Sequence, residues 1–216
     1  MIMELPEKFC TPYAKVKNGK LYIYRTMPYE SLIYNLTYAC KKKRCIYCNK
    51  KIRRGKASTL DHRYPRDTGG VSITNNLFPC CPRCNSKKNN LTHEEFLKWR
   101  ELSKKEAKGY MAEVKEKREN ILETTGFILP EEWVEYEERD KVICEDNGQY
   151  VRGKRYNKIN EFYEKYHHFP RPVVVDTAGI LLDGYNTILF ARDFDINYIP
   201  IIRLENVVKV LEEEEE

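Results

Sequence analysis

Two Cys-x-x-Cys pairs, Cys45/Cys48 and Cys81/Cys84, constrain most strongly what this chain can fold into. A two-residue gap in a tight turn points both thiolates at one ion. Two such turns close a four-sulfur shell of the structural zinc kind. Cys80 adjoins the second pair, but only Cys81 keeps the two-residue gap to Cys84. The intervening segment is poor in large apolar residues, so a bound metal would supply much of its folding free energy. Nearby Lys and Arg favour the thiolate form. Redox pairs or buried free thiols are the competing reading, and Cys40 lies close enough to be a rival ligand. Cys10 and Cys144 read as ordinary residues.

The basic charge collects around those pairs. The chain of 216 residues carries a net +5, but residues 1–100 hold 21 Lys and Arg against 7 Asp and Glu. Residues 40–91 hold 14 basic against 2 acidic side chains, a local +12, and the remainder of the chain is acidic. A field of that sign attracts polyanions, nucleic acid first among them, although a solvated basic face would look the same. The aromatic content, with 16 Tyr, 8 Phe and 2 Trp, excludes a disordered chain. No apolar run approaches the roughly 20 residues of a membrane span. The N-terminus carries no signal-like segment, which leads us to expect a cytoplasmic protein with reduced thiols and no membrane partner.

Between the cysteine pairs run Leu60-Asp61-His62-Arg63-Tyr64-Pro65 and Gly69-Gly70. These are followed by Asn76-Leu77 and Cys81-Pro82-Arg83-Cys84-Asn85-Ser86-Lys87-Lys88. The order C-x-x-C, D-H, G-G, N-L, C-x-x-C-N-x-x-K over residues 45–90 resembles the HNH endonuclease family, in an H-N-N variant with Asn85 at the third position. The resemblance implies a ββα-metal fold and hydrolysis of phosphodiester bonds. In it His62 is the general base, and Asp61 and Asn85 hold a catalytic Mg²⁺ or Mn²⁺ through oxygen. It further implies that Asn76 orients His62 or its loop, with Arg63, Arg83, Lys87 and Lys88 contacting nucleic acid. Cys45, Cys48, Cys81 and Cys84 would hold structural Zn²⁺. His93, His167 and His168 have no such context and read as caps or surface residues.

Local signals outline the rest. A strand is expected at Leu21–Tyr24 after an Asn18-Gly19 turn. Thr92 and Glu95 form a capping-box pattern ahead of a helix that Gly109 should end or interrupt, with a second helix over Met111–Leu122. Further on, helices are expected at Asn157–His167 and Tyr185–Phe194. Strands are expected at Pro172–Asp176, Ile180–Leu182 and Tyr198–Leu204, the last made an edge by Pro200. The segment around Val173, Asp183-Gly184 and Ile199–Ile202 resembles the ParB/sulfiredoxin-like fold over residues 145–210. Tyr185 stands where His or Cys is usual there, and Thr187 where Arg is usual. Those departures remove the phosphate clamp and the sulfiredoxin chemistry, leaving a positioning or assembly module.

The resulting expectation is an α+β chain in five parts. These are an extension (1–39), an HNH nuclease domain (40–100), a helical connector (101–140), a ParB-like domain (141–211) and an acidic tail (212–216). The activity expected is that of a metal-dependent hydrolase of DNA. RNA is not excluded, because phosphate contacts carry no sequence identity. A zinc-dependent nucleic-acid-binding module without catalysis is the alternative. One such site cuts one strand per event, so duplex cleavage requires a homodimer or a second visit.

Overall fold

The strand expected near Leu21 is present. Strand β2 (Lys20–Ile23) pairs antiparallel with β1 (Ala14–Lys17), Ala14 opposite Ile23. The computed structural model describes residues 14–17, 20–23, 34, 37, 41, 44–52, 59–144 and 152–204. The Asn18-Gly19 turn, Cys10, Cys40 and the acidic tail lie outside those residues. Two compact units divide the chain. Among the described residues, one holds everything up to Arg63 together with Ser72–Asn89, and the other holds Tyr64–Val71 and the chain from Asn90 onward.

In the first unit, β3 (Thr59–His62) and β4 (Leu77–Cys80) form an antiparallel pair, with Thr59 opposite Cys80 and His62 opposite Leu77. Helix α1 (Pro82–Lys88) follows at once. Pro82 sits at its first position, where a missing N–H costs nothing, and Cys81 is the N-cap. Residues 63–76 separate the two strands, the helix follows β4 directly, and Leu77, Ile73 and Cys80 are fully buried.

The second unit holds two capped helices in succession. Thr92 and Glu95 form the expected reciprocal capping box of α2 (His93–Glu101). The next helix corrects the sequence reading. Helix α3 (Lys104–Thr125) runs straight through Gly109, and the break falls earlier, at Leu102-Ser103. Ser103 and Glu106 form a second capping box, and such a box sets a start more firmly than one exposed glycine sets a stop. Gly126 ends α3 with φ of 81°, a left-handed cap. Gly69 and Gly70 occupy positions closed to other residues. A Cβ on Gly69 would lie 2.1 Å from Cβ of Phe127, and one on Gly70 would lie 1.8 Å from the Tyr64 carbonyl oxygen.

A four-stranded mixed sheet completes this unit, in the order β5 (Glu135–Glu138), β8 (Tyr198–Arg203), β6 (Val173–Val175), β7 (Leu181–Asp183). Pro200 does not make β8 an edge strand. Pairing with β5 spans Tyr198–Ile201, whereas parallel pairing with β6 begins at Ile201. Pro200 therefore sits where only one neighbour is paired, and its missing donor is tolerated there. Helices α4 (Lys154–Tyr166) and α5 (Tyr185–Asp193) supply Tyr156, Ile159, Ile188 and Phe190 to a core with Val173, Val175, Ile199 and Ile201. Gly184 caps α5 with φ of 107° and packs against Val173. Helices and short strands interleave along the chain, and the architecture is a mixed α+β one. Among the described residues, no helix is long and apolar enough to cross a membrane.

Candidate metal centre and active site

The first cysteine pair sits in a tight knuckle. The Cys45 amide donates to Lys50 O at 2.9 Å, and Asn49 N returns to Cys45 O at 2.8 Å with Asn49 in the left-handed region. The second pair opens α1, where the amides of Cys84 and Asn85 both donate to Cys81 O at 3.0 Å. The Ile46 amide joins the knuckle to β4 through Pro79 O at 3.2 Å.

This geometry brings Cys45, Cys48, Cys81 and Cys84 together, with ligand atoms within 4.8 Å of one another. A tetrahedral zinc with bonds of about 2.3 Å needs sulfurs about 3.8 Å apart, and Cys48 and Cys81 stand at 3.8 Å. The donor set and spacing fit structural zinc. Burial pushes the Cys45 thiol up, but amide donors from Cys81, Cys48 and Tyr47 outweigh it and bring the group down to about 6. Burial and hydrogen bonding to Cys81 and Cys48 push Cys84 up to about 12. The cluster thus holds an acidic thiol and a strongly protonated one in the same shell. Cys80 is not one of these four, although its sulfur borders the cluster. Its thiol donates to Cys81 O at 3.3 Å and lies 3.8 Å from Cys45 Sγ, and burial raises it far above the ordinary range.

Asp61 and His62 end β3. Asp61 is buried at 4% exposure, and both carboxylate oxygens are engaged. The Tyr47 hydroxyl donates to Oδ2 at 2.6 Å, and the Lys88 ammonium sits 3.1 Å from Oδ1. Burial, and then the Asp61 charge, raise the Tyr47 phenol above its usual range, so it stays a donor at neutral pH. Lys88 also donates to the His62 carbonyl at 2.7 Å. Asn85, one helical turn before Lys88, donates from Nδ2 to Thr59 Oγ1 at 3.1 Å. Thr59 in turn donates to Cys80 O at 3.0 Å. Helix α1 therefore runs alongside β3 with Asn85 at Thr59 and Lys88 at Asp61.

His62 is half-buried, and its Nε2 lies 3.1 Å from Ser72 Oγ. Asn76 is wholly buried, and its carbonyl accepts from the Arg63 amide at 2.8 Å, which ties the segment before β4 to the end of β3. Arg83 and Lys87 are exposed and lie four residues apart on α1, on one face of the helix. Arg63 is half-buried, whereas Lys88 is 1% exposed with its ammonium turned to Asp61.

Sequence reasoning missed Tyr47, Ser72 and Thr59. Tyr47 carried a signal of a kind, being an aromatic inside a four-residue metal turn. Ser72 and Thr59 carried none, because their partners His62 and Asn85 lie 10 and 26 residues away in the chain.

The second unit contains a separate ionic cluster. Arg152 grips Asp193 in bidentate fashion at 2.9 and 2.8 Å, and the Tyr156 hydroxyl donates to the same carboxylate at 2.6 Å. Asp183, of the Asp183-Gly184 turn, pairs with Arg171 at 3.4 Å.

No curated protein matches this chain. No solved structure matches it either. Residues 45–91, the stretch that carries the four clustered cysteines, Asp61-His62, Asn76 and Asn85, match the family model described as HNH endonuclease, a match that points to nuclease or nucleic-acid-binding function.

Proposed function

We propose that the chain is a metal-dependent endonuclease that hydrolyses DNA phosphodiester bonds, with His62 as the general base. The observation that carries this reading is the placement of His62 beside Asp61 at the end of β3, with Ser72 on its ring. Imidazole titrates near neutral pH, so His62 is suited to take a proton from water at working pH. Ser72 restrains the ring, and the Asn76 carbonyl fastens the backbone that follows it. Arg83 and Lys87 meet the phosphates from the exposed face of α1.

A carboxylate and an amide oxygen are hard donors, so Asp61 and Asn85 suit Mg²⁺ or Mn²⁺ by chemistry. When bound, such an ion polarises the phosphate and stabilises the leaving oxygen. The ParB-like accessory role belongs to the same proposal. It is supported by the tight Asp183-Gly184 turn at the start of α5, and it amounts to positioning or assembly.

The test is plasmid cleavage with Mg²⁺, Mn²⁺ or EDTA, comparing wild type with His62→Ala. Metal-dependent nicking that disappears in the variant is expected. Cleavage retained by a folded His62→Ala protein sinks the assignment. One observation favours a second reading, a zinc-dependent binding module without catalysis: both Asp61 oxygens are already engaged by the chain itself. Tight DNA or RNA binding without cleavage by zinc-loaded wild type is its signature, and cleavage of RNA but not DNA would redirect the substrate.

A further inference from the structure

An ammonium group is rarely buried unless it is paired, and Lys88 is 1% exposed. Two of its bonds are accounted for, one to Asp61 Oδ1 at 3.1 Å and one to the His62 carbonyl at 2.7 Å. It is also well anchored, because Asn85 one turn earlier holds α1 against Thr59. On the other side of the carboxylate, the Tyr47 hydroxyl occupies Oδ2 at 2.6 Å. The place beside Asp61 where an oxygen ligand would meet a divalent ion is therefore filled by a cation of the chain itself.

We propose that Lys88 is the resident counter-ion of Asp61, and that a divalent ion gains this carboxylate only by displacing it. The proposal rests on the nuclease reading in one respect, that it takes Asp61 to be an ion-facing carboxylate. Ion binding then exchanges one cation for another at Oδ1 while Tyr47 keeps Oδ2. The affinity of the free protein for Mg²⁺ or Mn²⁺ is held down by the lysine, and a neutral residue at position 88 releases it.

The experiment is an Mn²⁺ titration of the zinc-loaded full chain, followed by the electron paramagnetic resonance of free Mn²⁺. Lys88→Met is expected to bind about tenfold more tightly than wild type, the equivalent of about 1.4 kcal/mol. Lys88→Arg, which keeps the charge, should stay as weak as wild type. Lys88→Met combined with Asp61→Asn should lose the gain. Binding by Lys88→Met no tighter than wild type overturns the proposal.

Because Lys88→Met takes the ammonium away from a buried carboxylate, its thermal unfolding is followed with and without Mn²⁺. A larger Mn²⁺-dependent rise than in wild type supports the proposal, and an equal or smaller rise overturns it. Plasmid cleavage by wild type runs in parallel. Absent cleavage with an intact Mn²⁺ shift overturns the nuclease reading alone, whereas cleavage without the shift overturns this proposal alone.

Discussion

The hydroxyl of Tyr47 stands 2.6 Å from Oδ2 of Asp61 and donates to it. Tyr47 lies between Cys45 and Cys48, so one short loop both supplies two thiols and holds the carboxylate next to His62.

Tyr47→Phe keeps the ring but removes the hydroxyl that donates to Oδ2 of a buried carboxylate. A hydrogen bond to a charged group contributes about 1.5–3 kcal/mol, so a loss of that size is expected in urea unfolding. Zinc stoichiometry should not change, because all four thiols remain. A variant as stable as wild type would show that this hydrogen bond contributes nothing to the fold.

Zinc binding should release protons at pH 7. Cys45, at about 6, is already mostly ionised there, whereas Cys84, at about 12, must give up its proton to become a thiolate ligand. Titrating zinc into metal-free protein in weakly buffered indicator solution should report at least one proton per zinc, and affinity should rise with pH. Chelation should unfold the knuckle and β3–β4. No proton release would show that Cys84 is not held protonated in the metal-free cluster.

Two glycines should respond in opposite directions to alanine. At Gly70 the new Cβ would fall 1.8 Å from Tyr64 O and 2.7 Å from Pro65 O, both rigid backbone atoms. A loss of about 3 kcal/mol or more is expected, as for other strained backbone sites. At Gly109 a Cβ meets nothing within 4 Å and the backbone is helical. That change should stabilise by about 0.5–1 kcal/mol. Thermal melts of the two variants give both signs in one experiment.

Hydrogen bonds from Arg152, and then from Tyr156, hold the Asp193 carboxyl down at about 2. A depressed carboxyl stabilises the fold above its unfolded value near 4 and loses that contribution as pH falls toward about 2. Arg152 is 64% exposed, so solvent screening keeps the contribution small. In Arg152→Leu the Asp193 carboxyl should titrate closer to 4, read by carboxyl NMR. Stability between pH 4 and 2 should then depend less on pH. An unchanged Asp193 titration would place the cause elsewhere.

The cysteine cluster was legible because metal geometry translates directly into a two-residue gap, and a gap is visible in sequence. The Thr92–Glu95 cap was legible for a similar reason, since both partners lie within one turn. The Ser103–Glu106 cap had the same grammar, but a nearby glycine drew the boundary away from it. The occupant of Asp61 was not legible. Lys88 resembles any basic residue of a positive segment until α1 is laid along β3, which turns it inward and leaves Arg83 and Lys87 outside. The central position of β8 was equally hidden, because strand order depends on contacts between Tyr136 and Pro200 and between Val173 and Ile201 that no local pattern encodes.

Residues 64–71 settle late during synthesis. Thr68 O accepts from the Ile128 amide, Tyr64 packs edge-on against Trp133, and Gly69 lies against Phe127. Sixty residues separate Thr68 from Ile128. At a ribosomal pace of about 5–20 residues per second, that separation is a wait of about 3–12 s. The two cysteine turns that bracket this loop have by then emerged, so zinc can be captured before the loop between them has anything to rest on. A chain shortened after residue 91 would keep every thiol of the cluster and lose each of those partners.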